Sequence, residues 1–359
     1  MNIAIAVDFD AFWQSLARDI RAAQQRVLVQ TFSFEGDCVG IMLADALKHS
    51  PVSDKRILVD SFSRAVLSDK FRYAPGNWRN AELRAEAKRT ALLQAELRAA
   101  GVEIKYGNPL GPTPRRLLTR NHKKLIVIDD RLAYIGGMNF SEHNASWHDM
   151  MLRLDDAEIA GFFRADFDAA WRGEKPQATK CFDGIEVSSL DGRSNKAAFA
   201  RVLELLDQAQ ESIFVESPYV TFPFYDRLRE ARRRGVAVTI ITPKENNWSH
   251  FADYARWESG RCGLDLRLLR SGMSHLKAML IDDRYLVAGS SNFDFLSYRI
   301  YQEILAIITE PKVIADFREQ VLEVDLRNSE AASEIAISAS AWARMRVRLL
   351  NRGLSLLLE

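Results

Sequence analysis

A pattern of five residues occurs twice in this chain with identical spacing, and it constrains the fold more than any other feature. The first copy, NHKKLIVIDDRLAYIGGMNF, begins at Asn121, and the second, SHLKAMLIDDRYLVAGSSNF, begins at Ser274. If each residue type has a frequency of about 5%, one such pattern arises by chance about once in ten thousand chains. The shared residues are His122, Lys124, Asp129, Gly136 and Asn139 in the first copy, and His275, Lys277, Asp282, Gly289 and Asn292 in the second.

Both copies stand at the end of the same succession of elements. Apolar periodicity and β-rich runs predict helix, strand, helix, strand, helix, strand before the first copy, and the same order recurs before the second. This order indicates an internal duplication, and alternating strands and helices are typical of α/β proteins. We predict an α/β fold of two pseudo-twofold-related halves, each a mixed β-sheet flanked by helices, with the active site at their interface.

Changes in composition place the boundaries. The first half is predicted over residues 1–176 and the second over residues 183–330, with a linker at 172–184. The remaining residues, 331–359, predict a basic amphipathic helix. Within the first half, residues 78–100 contain no Pro or Gly and predict one long solvated helix.

Composition also limits the classes of function. The chain of 359 residues can bury a large core, and its 47% apolar and 27% charged residues are those of a soluble globular protein. The net charge of +1 gives no global attraction to nucleic acid or membrane, so any anion-binding surface must be local. No run approaches the roughly 18 consecutive apolar residues of a spanning helix, and the N-terminus argues against a signal peptide. The three scattered cysteines indicate reduced thiols, and we expect a cytosolic enzyme.

The spacing within the motif has a physical explanation. In a strand, residues two apart point to the same face, so each His–Lys pair projects together. The apolar runs 125–128 and 278–281 then anchor the strand, and the following Gly- and Ser-rich turn returns the Asn to the same place. If the halves pack about a pseudo-twofold axis, two His, two Lys and two Asn converge on one pocket. This set lacks the carboxylates of a hard-metal site and suits a tetrahedral phosphate, so we expect no metal and no cofactor.

The doubled HxKxxxxDxxxxxxG(G/S)xxN pattern resembles that of the phospholipase D superfamily, and the resemblance covers nearly the whole chain. It implies a metal-free, two-step phosphoryl transfer through a phosphohistidine. One His attacks phosphorus, and the other protonates the departing alcohol and then deprotonates the acceptor. The resemblance assigns the nucleophile to His122 and the acid/base role to His275, an order that the sequence itself does not determine.

The same resemblance implies a carboxylate that orients each imidazole. Asp149 lies 27 residues after His122, Glu303 lies 28 residues after His275, and both precede apolar strand-like runs. By the same resemblance, Asp129 and Asp282 are structural. The turns of the motif are expected to depend on four small residues, Gly136, Gly137, Gly289 and Ser290.

Other segments resemble bacterial cardiolipin synthases and related phosphatidyltransferases. These segments are TFSFEGDCVG, ILVDSFS, ESPYV, RRRGVAVTIITP and FRADFDAAW. The chain departs from that pattern in SPVSDKR before the second strand and in a longer, helix-rich insert around 64–100. The resemblance implies phosphatidylglycerol-like phospholipid substrates and a cytoplasmic protein held peripherally at the inner face of the cell membrane. We expect no nucleic-acid partner, and the oligomeric state stays open.

Several residues outside the motifs are candidates for phosphate or lipid binding. Arg120 and Lys123 belong to a basic cluster with Arg115 and Arg116 that is equally compatible with a solvated face. Tyr219 is a candidate for stacking at the pocket mouth or for core packing. Three arginines at i, i+4 and i+8 form one face of the C-terminal helix, which suits either an anionic membrane or packing on the core. These are Arg344, Arg348 and Arg352.

Four functions remain to be separated. The leading hypothesis is a phosphatidyltransferase of the cardiolipin-synthase type, and a hydrolytic phospholipase D differs from it only in admitting water to the intermediate. A nuclease of the same superfamily is expected to carry a continuous basic groove with stacking aromatics, which the near-neutral charge disfavours. An inactive lipid-binding scaffold is disfavoured because both motifs are intact.

Overall fold

The computed structural model describes residues 1–111 and 118–332, and the chain divides into two compact units, Met1–Pro176 and Gln177–Glu359. Each unit contains one large mixed β-sheet with helices packed against it. The α/β class with two repeated sheets, predicted from the alternation of elements, is confirmed. In the described part of the chain, no helix is long and apolar enough to cross a bilayer.

The first unit contains a seven-stranded sheet in the order β1-β9-β8-β7-β2-β3-β6. The pairs β2–β3 and β3–β6 are parallel, and the other pairs are antiparallel. A separate hairpin joins β4 to β5. The strands are β1 Asn2–Val7, β2 Arg26–Thr31, β3 Asp54–Asp60, β4 Val66–Leu67, β5 Lys70–Phe71, β6 Glu103–Gly107, β7 Leu125–Ile128, β8 Leu132–Gly136 and β9 Met150–Asp155.

The second unit contains a nine-stranded sheet in the order β10-β11-β17-β16-β15-β12-β13-β14-β18. Its central run, β17-β16-β15-β12-β13-β14, repeats β9-β8-β7-β2-β3-β6 in order and in strand direction. The strands are β10 Ala178–Phe182, β11 Ile185–Ser189, β12 Ser212–Glu216, β13 Ala237–Pro243, β14 Asp265–Leu269, β15 Ala278–Ile281, β16 Tyr285–Gly289, β17 Ile304–Ile308 and β18 Ser329–Ala331.

Polar side chains begin several of the helices, as capping predicts. Asp37, Asn80 and Asp156 each accept hydrogen bonds from backbone N–H groups of the first turn that follows. The described helices are α1 Asp8–Ala22, α2 Cys38–His49, α3 Ala81–Ala99, α4 Glu142–Ala145, α5 Ala157–Trp171, α6 Asn195–Gln208, α7 Phe224–Arg233, α8 Ser249–Cys262, α9 Phe295–Arg299, α10 Pro311–Phe317 and α11 Glu323–Arg327.

The predicted linker is wrong, and the helix-rich insert is helical only in its second part. The predicted linker at 172–184 contains β10, which pairs with β11 through a turn at Asp183 and Gly184, where Gly184 has φ +70°. An Asp-Gly turn between two extended runs is a hairpin signal. In the insert around 64–100 only α3 is an α-helix, because residues 61–80 form a short 3₁₀ turn, the β4–β5 hairpin and further turns.

Candidate active site

His122 and Lys124 lie in the extended segment that leads into β7, and both side chains are buried. The Lys124 Nζ donates a hydrogen bond to the His122 carbonyl oxygen at 2.8 Å. The Phe32 ring supports both residues, with its centroid 5.3 Å from that of the His122 ring and 5.6 Å from the Lys124 ammonium. The aromatic ring after β2 therefore fixes the position of the predicted nucleophile and phosphate clamp.

Asn139, the last residue of the first motif, is held to the same part of the sheet. Its Oδ1 accepts hydrogen bonds from the Thr31 Oγ1 at 3.3 Å and the Ser33 backbone N–H at 3.4 Å. A bridge between Phe34 and Phe140 joins the same two segments. The residues that follow β2 thus bring Asn139 close to His122 and Lys124, although 17 residues separate the Asn from the His.

Gly137 leaves space for the Asp149 carboxylate. A Cβ atom at Gly137 would lie 2.2 Å and 2.3 Å from the two Asp149 oxygens, so any other residue at this position would force the Asp149 carboxylate to move. Asp149 is buried, and its Oδ1 accepts the Met150 backbone N–H at 2.8 Å. The second glycine of the first motif is therefore required by the carboxylate predicted to orient His122.

The second motif repeats this arrangement with different side chains. The Lys277 Nζ donates to the His275 carbonyl oxygen, and both residues are buried. Glu303 is fully buried and accepts two hydroxyl hydrogen bonds, from Ser290 Oγ at 2.5 Å and from Ser297 Oγ at 3.0 Å. Serine thus occupies the position of Gly137 and binds the longer carboxylate side chain of the second half.

Strand register explains why the two carboxylates stand at different offsets from their histidines. Gly136 of β8 pairs with Met151, and Gly289 of β16 pairs with Leu305. Asp149 and Glu303 each lie two residues before that partner, so they occupy equivalent positions in the two sheets. The one-residue difference lies in the connection that contains α4 in one half and α9 in the other.

Asp129 and Asp282 bind the backbone of their own half. Each carboxylate accepts three consecutive N–H groups at 2.6–3.0 Å, from Gln24, Gln25 and Arg26 in the first half and from Gln210, Glu211 and Ser212 in the second. Burial opposes ionisation of Asp282, but its three N–H donors hold its pKa below the usual value. These aspartates tie the turn after β7 or β15 to the start of β2 or β12.

The residue before each His is anchored by a side chain that sequence reasoning missed. The Gln30 Nε2 donates to the Asn121 Oδ1 at 2.9 Å, and the Ser274 Oγ donates to the Glu216 Oε1 at 2.7 Å. Gln30 pairs with Leu125 and Glu216 with Ala278, so the two anchors are equivalent. Alignment of β2 with β12 would have revealed this pair. The amide side chain of Gln30 in the first half corresponds to the carboxylate side chain of Glu216 in the second.

Arg120 and Lys123, two of the residues predicted to bind phosphate, form buried ion pairs with aspartates. The Arg120 Nη1 lies 3.1 Å from Asp60 Oδ1, and Asp60 also accepts the Asn121 N–H at 2.7 Å. The Lys123 Nζ binds both oxygens of Asp166 on α5 at 2.8 Å and 2.9 Å. Burial raises the pKa of Asp60.

The remaining candidates for phosphate or lipid binding are Tyr219 and five arginines. The Tyr219 hydroxyl donates to the Asn247 Oδ1 at 2.5 Å, and its ring centroid lies 4.8 Å from that of Phe251, so the side chain packs on the loop before α8 and on α8 itself. Five predicted basic residues lie outside the described residues: Arg115, Arg116, Arg344, Arg348 and Arg352.

Asp294 adds a titrating group next to the second motif. Its Oδ1 accepts the Ser297 backbone N–H at 2.8 Å and so caps α9. Burial, reinforced by the nearby Glu303 charge, raises the pKa of Asp294 to about 6. This carboxyl therefore changes its charge near neutral pH, within the segment that joins Asn292 to Glu303.

Known proteins match this chain over most of its length. The family described as "Cardiolipin synthase, PLD-like domain" matches residues 16–171 and 202–324. Cardiolipin synthase B of Salmonella typhimurium is 26% identical over 95% of this chain and 84% of its own length. The major cardiolipin synthase ClsA of Bacillus subtilis is 24% identical over 89% of this chain and 69% of its own length.

Solved structures share the fold. Phosphatidylserine synthase of Haemophilus influenzae Rd KW20 superposes with a TM-score of 0.70 at 17% identity, over 99% of this chain and 95% of its own. Polyphosphate kinase of Porphyromonas gingivalis superposes with a TM-score of 0.60 at 13% identity, over 98% of this chain and 53% of its own. The family match spans both motifs and more than half of the chain, which therefore belongs to the cardiolipin synthase-like branch of the phospholipase D superfamily and is a phosphodiester transferase of that superfamily.

Proposed function

We propose that this protein is a phosphatidyltransferase of the cardiolipin-synthase type, which transfers a phosphatidyl group between phospholipids through a phosphohistidine intermediate. The observation that carries the proposal is the complete second copy of the motif. In both halves His, Lys and Asn are buried, the Lys ammonium binds the carbonyl of its own His, and a buried carboxylate occupies the equivalent register position. An inactive scaffold would not need this set twice.

Each residue has a role in the proposed cycle. His122 attacks the phosphorus of the first lipid, and His275 gives its proton to the departing alcohol. His275 then takes the proton of the acceptor hydroxyl, which attacks the phosphohistidine and releases His122. Lys124, Lys277, Asn139 and Asn292 stabilise the phosphoryl oxygens, and Asp149 and Glu303 orient the imidazoles. Both histidines act in one cycle, which requires no metal or cofactor.

Phospholipids are the proposed substrates because the curated relatives are cardiolipin synthases. A phosphatidylglycerol-like lipid supplies the phosphatidyl group, and the hydroxyl of a second lipid accepts it. With such substrates we propose a peripheral protein at the inner face of the cell membrane. Nucleic acid is not a proposed substrate.

Product analysis tests the proposal directly. The full chain is incubated with phosphatidylglycerol, and the lipid products are identified by mass spectrometry, with the His275→Ala variant as the inactive control. Cardiolipin and glycerol in equal amounts support the transfer. Phosphatidic acid in place of cardiolipin indicates hydrolysis, and unchanged lipid together with cleavage of single-stranded DNA would overturn both lipid reactions.

Rapid quenching in a neutral denaturant tests the assignment of the nucleophile, because the phosphorus–nitrogen bond of a phosphohistidine is labile in acid. We expect a phosphoenzyme in the wild-type chain after a short incubation and none in the His122→Ala variant, whose activity should fall by a factor of roughly 10³ or more. The position of the phosphatidyl group is read by mass spectrometry of the quenched peptides. A phosphatidyl group found on His275 in that variant would reverse the two histidine roles.

A further inference from the structure

The segment between β3 and α3, residues 61–80, places aromatic side chains in solvent. The exposed fractions are 45% for Phe71, 65% for Tyr73 and 55% for Trp78. Four cations and one acid interleave with these rings, and the Arg79 guanidinium lies 4.4 Å from the Trp78 ring centroid. Aromatic rings alternating with Arg and Lys are typical of surfaces at the boundary between water and lipid.

Hydrogen bonds from Ser68 attach this segment to the rest of the first unit, so its exposed rings are carried by a fixed backbone. The Ser68 Oγ donates to the Glu86 carboxylate of α3 at 3.0 Å, and the Ser68 backbone N–H donates to the Glu35 carboxylate at 3.3 Å. Leu67 of β4 is buried. The hairpin is therefore fixed to the rest of the first unit at Leu67 and Ser68, while Lys70 and Phe71 of β5 are exposed.

Two cavities open on this segment and share a pair of arginines. The first has a volume of about 420 Å³ and is lined by Arg64, Arg72 and Arg98 together with apolar side chains and Tyr106. The second, of about 410 Å³, is lined by the same Arg64 and Arg72 and by Tyr73 and Leu110. Apolar walls beside guanidinium groups fit a ligand with a negative head and a hydrocarbon part.

Within the segments that the structure describes, the arginines that line the two cavities lack the carboxylate partners that Arg56 and Arg153 of the first half have. The Arg64 guanidinium lies over the Tyr106 ring at 5.3 Å, and the Arg72 Nη1 donates to the Arg64 carbonyl oxygen at 2.9 Å. Among residues 1–111 and 118–332, no carboxylate lies within ion-pair distance of the Arg64, Arg72 or Arg98 guanidinium. By contrast, Arg56 and Arg153 each bind aspartate at 2.7 Å. Like charges grouped without a counterion favour the binding of an anion.

We propose that residues 61–80 are the surface by which this protein docks on an anionic lipid bilayer. Phe71, Tyr73 and Trp78 enter the interfacial layer, and Arg64 and Arg72 bind lipid phosphates where the two cavities meet. Charge complementarity and the apolar cavity walls select lipid over a polar partner. The choice of a membrane rests on the proposed function, and the docking residues are separate from both motifs.

Vesicle binding of the full chain tests the docking surface. We expect binding to vesicles of phosphatidylglycerol and phosphatidylcholine, and little binding to phosphatidylcholine alone. Arg64→Ala/Arg72→Ala and Tyr73→Ala/Trp78→Ala should each weaken the binding about tenfold or more. The matched controls are Arg21→Ala, an exposed arginine of α1, and Leu92→Ala, an apolar side chain of α3 that is 55% exposed. Both controls should bind like the wild type.

Hydrogen exchange on the wild-type chain gives a second readout that needs no variant. Anionic vesicles should slow the exchange of backbone amides within residues 61–80. The proposal is overturned if both double variants bind vesicles like the wild type, if protection falls only outside this segment, or if the variants lose affinity for single-stranded DNA and not for vesicles.

The docking proposal and the proposed function can fail separately. Arginine-dependent vesicle binding by a chain that makes no cardiolipin supports docking and contradicts the proposed transfer. If the chain makes cardiolipin but the four substitutions do not change its binding to vesicles, the docking proposal is contradicted and the proposed transfer is not.

Discussion

At the scale of single residues, the Asp149 carboxylate occupies the space that a side chain at Gly137 would need. Gly137→Ala would place a methyl group on the Asp149 oxygens at 2.2 Å and 2.3 Å. We expect the free energy of unfolding to fall by about 1–3 kcal/mol and transfer activity to be lost, since Asp149 must move. Urea unfolding and product analysis measure both effects.

The matched control for Gly137 is Gly161, which lies in α5 at a point where an added methyl group would meet no neighbouring atom within 4 Å. Because alanine favours helix, Gly161→Ala should stabilise the protein by about 0.5–1 kcal/mol and leave activity unchanged. Equal behaviour of the two variants would contradict the assigned contact.

Asp294 makes stability depend on pH. Its pKa rises from 3.8 to about 6 on folding, so the folded state holds the proton more tightly. The stabilisation is fully present below about pH 4 and is lost as pH rises through 6, a loss of about 3 kcal/mol. Asp294→Asn keeps a capping side chain for α9 and removes this dependence.

The measurement compares urea unfolding of the wild type and Asp294→Asn between about pH 4 and pH 8. The difference in unfolding free energy should shift in favour of the variant as pH rises. A difference that stays constant over this range would show that Asp294 ionises in the folded state as readily as in the unfolded chain.

At the scale of elements, the buried ion pair of Lys123 and Asp166 joins the start of β7 to α5. Lys123→Met leaves a buried carboxylate without this ammonium and should cost about 3–5 kcal/mol of unfolding free energy. The double variant Lys123→Met/Asp166→Leu should recover most of that loss. Thermal or urea unfolding of the three chains checks the coupling.

A phosphate-binding role for Lys123 leads to the opposite pattern. In that case Lys123→Met would weaken activity with little change in stability, and the second substitution would restore nothing. The neighbouring Lys124, whose ammonium binds the His122 carbonyl oxygen, is the position where we expect such an activity defect.

Helices and strands could be predicted from the sequence where the spacing of residue types along the chain was strong and local. The long run without Pro or Gly became α3, which begins after the capping Asn80, and the face of Phe12, Leu16 and Ile20 is buried as its spacing requires. The strand β10 was missed because its residues are mostly exposed and carry no apolar alternation. Only pairing with β11 makes that segment a strand.

At the scale of the whole molecule, both motifs are carried by one chain, and the proposed cycle uses both histidines. Mixing the inactive His122→Ala and His275→Ala chains should therefore restore no cardiolipin synthesis. Recovery of activity in the mixture would show that a site is shared between two copies of the chain. The readout is product formation at several protein concentrations, because shared sites would depend on concentration.

The sequence by itself determined the duplication, the α/β class and the residues of both motifs, because the spacing of a repeated pattern and the period of a strand are local properties. Tertiary structure alone decided which of two adjacent lysines meets Asp166, 43 residues away from Lys123. It also decided that Asp149 and Glu303 are equivalent despite different offsets, and that Gln30 and Glu216 anchor the residue before each His. These relations depend on strand register and on contacts between segments distant in sequence, which only the folded sheet sets.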